Sequence, residues 1–476
     1  VKRKASGVRR QASRIAPDHA TIIAQATPPG EGGIAVIRVS GPDAIPLTDR
    51  FFSGKRSLAR IPGYTIAHGY ISDPRIPSVL DEVLVSVFRS PHSYTGENMT
   101  EISCHGGIAA GSAIIRLLLA TGKMRPAERG EFTRRAVLNG KLDLAQAEAI
   151  PDLVRAPSEM ARQKAAAQLF GAFSRRIDEL RGNLLAVQTD LTAALEFGDD
   201  LPAGSLRRID ARLHATRQQL DRLVGQAESG PLLRQGALVV IVGKPNVGKS
   251  SLFNCLLEQD RAIVTPLPGT TRDALEANLS LGGIVIRLVD TAGWRARTGR
   301  IEAIGKAKAR HYADRADALL AVLDSSRPLT REDKDVLAAA ADRRSITVLN
   351  KTDLEPKSEV KSQKSKSRTI CNPQSPGAVP SVRVSCRTGA GIPRLRSVLA
   401  RLFTGHMPDA DFIANQRHLD GLRRAARAVD NAARHNALDV RVQELGSALE
   451  ALHELTGKVT SDEILDQVFS QFCIGK

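Results

Sequence analysis

Gly243-Lys-Pro-Asn-Val-Gly-Lys-Ser250 sets two glycines, a lysine and a hydroxyl at a spacing that suits a polyphosphate. The glycines let main-chain N–H groups wrap phosphate oxygens. Lys249 can reach the β- and γ-phosphates, and the Ser250 hydroxyl is a Mg²⁺ ligand. Asn246, Val247, Gly248 and Ser251 complete the loop and the turn after it. Further on, Gly269-Thr-Thr-Arg-Asp273 offers Thr271 to finish the Mg²⁺ shell and sense the γ-phosphate, with Thr270 beside it. In Asp290-Thr-Ala-Gly293, Asp290 can hold Mg²⁺ through water and the Gly293 amide can bond the γ-phosphate, with Thr291 and Ala292 between them. Asn350, Lys351, Thr352 and Asp353 form a base-reading motif. The Asp353 carboxylate accepts from two guanine donors, a pair that adenine lacks. Ser385, Cys386 and Arg387 fit a loop closing on the base. Each short motif alone also fits an ordinary strand-to-helix turn. The whole set in order predicts guanine-nucleotide binding and hydrolysis. A Ras-like enzyme has a water-orienting Gln after this Asp-Thr-Ala-Gly, but here that position is Trp294, so another group must serve.

Those motifs need strands that end beside one another. From about 236 the chain alternates β-branched runs with helical stretches, which predicts a parallel sheet. Its strands are expected at Leu238–Val242, Ile284–Val289, Ala318–Leu323, Ile346–Leu349 and Val382–Val384. Before it, residues 18–140 read as mixed α/β, with strands at Ile34–Val39 and Glu82–Val87. Leu144, Ala147, Ile150, Leu153 and Val154 recur at helical spacing, as do Leu180, Leu184, Leu185, Val187 and Leu191. Helices return after 411. The predicted fold class is multidomain α/β and α: a basic arm (1–17), an N-terminal α/β domain (18–140), a helical domain in two parts (141–231 and 405–476) and an inserted Ras-like domain (232–404).

With 476 residues the chain is too long for one core. No apolar run reaches the ~20 residues of a membrane helix. Five scattered cysteines without a CxxC pair predict free thiols in a reducing cytosol, not a zinc site or disulfide framework. The net charge of +17 favours contact with RNA. Part of it sits in the arm and in the Lys/Ser-rich run 357–368. The arm could resemble a mitochondrial presequence, but its composition favours plain disorder.

Gly243–Ser251, Ala262-Ile-Val-Thr-Pro-Leu-Pro-Gly-Thr-Thr-Arg-Asp273 and the terminal Phe472-Cys-Ile-Gly-Lys476 resemble the MnmE (TrmE) family of tRNA-modification GTPases. Ala26–Gly30, Ile37–Gly41, Tyr94–Glu97, His105–Gly107, Gly130–Thr133 and Leu138–Glu148 match its N-terminal half. The resemblance implies a folate-binding, dimerising N-terminal domain and a helical domain interrupted by the GTPase domain. It also implies a homodimer whose GTPase domains meet when K⁺ and GTP are bound. It assigns Asn246, Thr265, Leu267 and Thr270 to K⁺, and adds Pro266, Pro268 and Gly269 to the nucleotide loop. Glu302 becomes the water-positioning group; on its own it reads as a solvated carboxylate at a helix start. Arg38, Glu101, Lys141 and Lys476 become contacts for 5-formyltetrahydrofolate or a related tetrahydrofolate. Cys473, in the tail, is either a nucleophile or redox group in the modification or a small anchoring residue.

The implied partners are the flavoprotein MnmG, in a heterotetramer, and tRNA. The implied product is an aminomethyl or carboxymethylaminomethyl group at C5 of the wobble uridine, made in the cytoplasm. Arg129 departs from the proline usual before Gly-Glu-Phe, and the acidic stretch near Glu196 is short. An Era- or Der-like ribosome-assembly GTPase is the rival. It would need a KH-like module, and no GXXG loop marks one in the helical flanks. A scaffold with a decayed nucleotide site is opposed by Lys249, Ser250, Asp290 and Asp353 all being present.

Overall fold

The computed structural model describes residues 20–75, 78–197, 204–258, 275–290, 311–354, 379–405, 410–457 and 461–476. The arm and the run 357–368 lie outside them. The chain divides into two compact units. One is formed by the described residues up to Pro151 together with His453–Lys476; the other spans Asp152–Leu452.

The first unit is built on seven strands: β1 (Thr21–Gln25), β2 (Ile34–Ser40), β3 (Phe52–Gly54), β4 (Thr65–Ser72), β5 (Val79–Phe88), β6 (Met99–His105) and β7 (Met124–Pro126). They lie in the order β3-β4-β5-β6-β2-β1-β7. Pairings are antiparallel except β1 with β7. Alternation puts Val83, Val85 and Val87 of β5 and Ile37 and Val39 of β2 into one core with Ile114 and Leu118 of the helix Ile108–Leu119. The helix Asp462–Phe469, near the end of the chain, packs in this unit on the helix Glu131–Leu138. Arg134 faces Asp466 there at 3.4 Å.

The second unit holds six strands: β8 (Ala237–Val242), β9 (Leu275–Leu281), β10 (Ile284–Asp290), β11 (Ala318–Asp324), β12 (Ser345–Asn350) and β13 (Ser381–Arg383). Their order is β13-β12-β11-β8-β10-β9. The sheet is parallel except for β9, which returns antiparallel on β10. That strand was not foreseen. Gly282 and Gly283 both take positive φ, +59° and +83°, and close a tight hairpin, which Gly-Gly between two apolar runs should have signalled. Alternate residues of β8 serve two cores: Ala237, Val239 and Ile241 on one face, Leu238 and Val240 on the other. This double burial is what an uninterrupted apolar run on a central parallel strand means.

The helices Ala172–Glu196, Ser205–Ala227 and Gln416–Arg434 pack in sequence beside one another in this unit. Leu180, Leu184, Val187 and Leu191 are buried at i, i+4, i+7 and i+11, but Leu185 is 53% exposed. It lies one residue off the stripe, about 100° round the helix. Val154 keeps helical spacing with Ala147 and Ile150 but is exposed in the last turn of the helix Leu144–Arg155.

Candidate nucleotide site and a second site closed by the tail

The phosphate loop leaves the carboxyl end of β8 and enters the helix Lys249–Glu258. Gly243 has φ +150°, and a Cβ there would sit 2.5 Å from the Val322 carbonyl oxygen. Gly248 has φ +95°, and its Cβ would meet the Asn350 side-chain nitrogen at 2.2 Å. Both glycines are therefore required by close approach as well as by backbone conformation. Asn246 adopts φ +63° and is exposed, while Val247 is buried. Lys249 is buried, and its Nζ donates to the Lys244 carbonyl at 2.6 Å across the loop. Ser250 Oγ donates to Asp290 Oδ2 at 2.6 Å. Asp290 ends β10, next to β8, and is fully buried. Ser251 is exposed.

The base-reading motif leaves β12 two strands away. Asn350 Nδ2 donates to the Val247 carbonyl at 2.9 Å and its Oδ1 accepts from the Cys386 amide at 3.3 Å. One side chain so ties the phosphate loop to the loop after β13. Lys351, at φ +65°, donates to Asp324 at 2.7 Å. The Thr352 amide bonds the Val384 carbonyl at 3.3 Å. Ser385 Oγ donates to Asp353 Oδ1 at 2.7 Å. That hydrogen bond, helped by Arg387 and Lys351, holds the Asp353 carboxyl below its ordinary range, so it stays an acceptor. Burial, then repulsion from Cys255, pushes the Cys386 thiol up to about 12. Such a thiol stays protonated.

Lys244 and Asp324 were not foreseen as site residues. Lys244 Nζ sits 3.4 Å from Asp333, in the capping box of the helix Arg331–Ala341, and so braces the loop. Asp324 ends β11, a strand-end position that could have drawn notice. Thr265, Pro266, Leu267, Pro268, Gly269, Thr270, Thr271, Thr291, Ala292, Gly293 and Glu302 lie outside the described residues.

In the first unit, Arg38 on β2 faces Glu101 on β6 in direct register. Arg38 Nε and Nη2 both donate to Glu101 Oε1, at 2.9 and 2.7 Å. The guanidinium lies over the Tyr94 and Phe132 rings, 5.1 and 5.6 Å from their centroids. Its Nη1 donates to the Gly475 carbonyl at 3.4 Å. The tail is thereby brought to Arg38 across the full length of the chain. Gly475 has φ +93°, and a Cβ would stand 2.3 Å from the Gln25 carbonyl oxygen. Phe472 is buried. Gly130 donates its amide to the Cys473 carbonyl at 3.3 Å, in a bridge that sets Arg129 opposite Ile474. The donor is Gly130, so position 129 supplies no hydrogen to that bond.

Burial, then the charge of Arg38, lowers the Lys476 ammonium below its ordinary value, with Cys473 acting the other way. Cys473 itself is exposed. Three of the four expected ligand contacts, Arg38, Glu101 and Lys476, therefore come together. Lys141 is exposed and donates to the Pro91 carbonyl at 3.2 Å. Tyr94 and Phe132 belong to the site too. Both stood inside recognised motifs, but nothing in their spacing shows that they flank an arginine.

Residues 21–141 match the family model described as GTP-binding protein TrmE N-terminus, and residues 144–473 match the MnmE helical domain. The tRNA modification GTPase MnmE of Natranaerobius thermophilus is 39% identical over 96% of this chain and 99% of its own. That of Bacillus pumilus is 38% identical over 96% of this chain and 100% of its own. The chain belongs to the MnmE family of tRNA modification GTPases. Among solved structures, the G domain of the T. maritima FeoB iron transporter is 24% identical over 36% of this chain and 98% of that one. Its TM-score is 0.25, at which the likeness decides nothing. The TrmE N-terminal model covers the strands carrying Arg38 and Glu101, and the helical model covers a range that includes the phosphate loop and Cys473.

Proposed function

We propose that this chain hydrolyses GTP and acts on tRNA with a flavoprotein of the MnmG kind, as a heterotetramer. The product is an aminomethyl or carboxymethylaminomethyl group at C5 of the wobble uridine. The reading is carried by one chain holding both sites, the loop joined by Ser250–Asp290 and Asn350, and the Arg38–Glu101 pair met by the tail.

Asn246, Val247, Gly248, Lys249, Ser250 and Ser251 hold the phosphates in this proposal. Asp353 reads the base, with Ser385 fixing its carboxylate and Lys351, Cys386 and Arg387 around it. Ser250 and the Asp290 carboxylate are hard oxygen donors lying 2.6 Å apart, a set that fits Mg²⁺, with Thr271 completing it. When bound, the ion would neutralise phosphate charge. Asn246 stands exposed in the loop with its side chain available for K⁺, beside Thr265, Leu267 and Thr270. Glu302 positions the attacking water.

In the first unit the Glu101 carboxylate can accept from a pterin's amino group, and Arg38 and Lys476 suit the carboxylates of a tetrahydrofolate. Ile66, Tyr70 and Leu84, all exposed, sit on one outward face of β4 and β5 and support a homodimer through this sheet. Among the described residues no helix is long and apolar enough to cross a membrane, and a cytoplasmic place of action belongs to the same proposal. Family models matching both units leave the ribosome-assembly alternative without support.

Nucleoside mass spectrometry of tRNA, with the gene deleted and then restored, tests the reading. The C5-modified wobble uridine is expected to vanish and return. An unchanged profile would overturn the tRNA role. Hydrolysis is also expected to be faster in KCl than in NaCl, and equal rates would remove K⁺ while leaving a GTPase.

A further inference from the structure

The helices Ser205–Ala227 and Gln416–Arg434 carry ten arginines and four aspartates between them, with no lysine or glutamate. They run antiparallel: Arg217 pairs with Asp430, while Glu228, just past the first helix, pairs with Arg423 near the start of the second. Their apolar residues, Leu213 and Leu220 on one and Leu422 and Val429 on the other, are buried and turn the arginines outward. Arg423, Arg427 and Arg434 recur at i, i+4 and i+11 on one face and span about 16 Å. Arg207 and Arg222 extend the exposed positive surface on the neighbouring helix.

An ordinary solvated helix face mixes charge signs, typically Glu with Lys one turn apart. This pair of helices sets ten arginines against only four aspartates, an excess of six positive charges. Its aspartates are already engaged: Asp430 and Asp221 by Arg217, Asp210 by Arg441, and Asp420 by Gln416. Among the described residues, Arg427 hydrogen-bonds the Arg423 carbonyl and pairs with no carboxylate. Guanidinium groups bind phosphate through paired, parallel N–H bonds, which ammonium groups cannot copy.

We infer that this face, centred on Arg222, Arg427 and Arg434, docks the phosphate backbone of RNA. Resting on the tRNA reading above, it is the platform on which the chain holds its tRNA. The contacts are to phosphates, so the platform positions the RNA without reading its sequence.

The test is fluorescence anisotropy of the full chain with a labelled, unmodified tRNA transcript across a salt series. Arg222→Glu, Arg427→Glu and Arg434→Glu combined should weaken binding by at least about tenfold. The slope of log affinity against log salt should become shallower by about two to three, because each lost phosphate contact removes roughly 0.7–0.9. The same three changed to Lys should regain most of the affinity. If the triple Glu chain melts early by circular dichroism, single Arg→Gln variants replace it, each expected to remove about one unit of slope or less. Equal affinity and slope in variant and parent overturn the platform and leave the tRNA reading standing. No binding by the parent overturns both. Intact tRNA binding with loss of a protein partner would show a protein-docking face instead, and also overturns the proposal.

Discussion

The phosphate loop and the place where the tail meets Arg38 are built in opposite ways. In the nucleotide site, the groups sit at the carboxyl ends of adjacent strands, and each comes from a short motif whose local geometry is nearly self-contained. Gly243, Gly248 and Ser250 lie within eight residues. In the other site, Arg38 and Glu101 meet only because β2 pairs with β6, and the tail arrives from 437 residues away. The first site depends on loop conformation. The second depends on strand register and on one glycine that lets the tail approach the Gln25 backbone.

The strongest way to break this contrast is to damage one site and watch the other. Lys249→Ala should lower GTP hydrolysis by roughly a hundredfold or more, as loss of a charge-stabilising group does. Titration with 5-formyltetrahydrofolate should be unchanged. Joint loss would mean that the two sites are not separable.

A smaller effect is expected from Gly475→Ala. The left-handed backbone costs a residue with Cβ about 1–3 kcal/mol, before the contact with Gln25 is counted. If the site takes a tetrahydrofolate as proposed, its affinity should fall roughly tenfold or more, since each 1.4 kcal/mol is tenfold. The tail should become open to carboxypeptidase, and GTP hydrolysis should not move. A tail as protected as in the parent would sink the closing role of the glycine.

The smallest effect sharpens the electrostatics of the base-reading motif. Asp353 has a depressed carboxyl pKa in the folded state, so its contribution is present above the ordinary carboxylate range and is lost as pH falls through the folded value. Removing the first cause with Ser385→Ala should move the acid limb of GDP binding to higher pH. The check is a pH series of nucleotide affinity on both proteins, and superimposed profiles would show that Ser385 does not set the charge.

Legibility followed the same divide. The strands ending in the nucleotide motifs were predicted within about two residues, because an apolar run buried on both faces has few other uses. The antiparallel β9 was overlooked although Gly282-Gly283 announced its hairpin. Leu185 stands about 100° from the stripe of Leu180, Leu184, Val187 and Leu191, and Val154 keeps its spacing but is exposed in the last turn of its helix. In the first unit, Arg38, Glu101 and Lys141 follow from family resemblance; the first two face each other across β2 and β6, and Lys141 donates to the Pro91 carbonyl. Tyr94 and Phe132 under the guanidinium were missed because no local pattern distinguishes a ring beneath a cation from a core aromatic.

The sequence by itself determined the order of the nucleotide motifs, the apolar strands that carry them and the glycines that their loops require. These are local properties, set by side-chain chemistry and allowed backbone angles over a few residues. Only the tertiary structure decided that Asn350 would join the phosphate loop to the Cys386 loop, that β2 would set Arg38 against Glu101, and that the last helix and tail would fold with the N-terminal unit. Those contacts join residues tens to hundreds of positions apart. They are chosen by which strands pair and which apolar faces can be buried together, a competition among all segments at once that no single segment records.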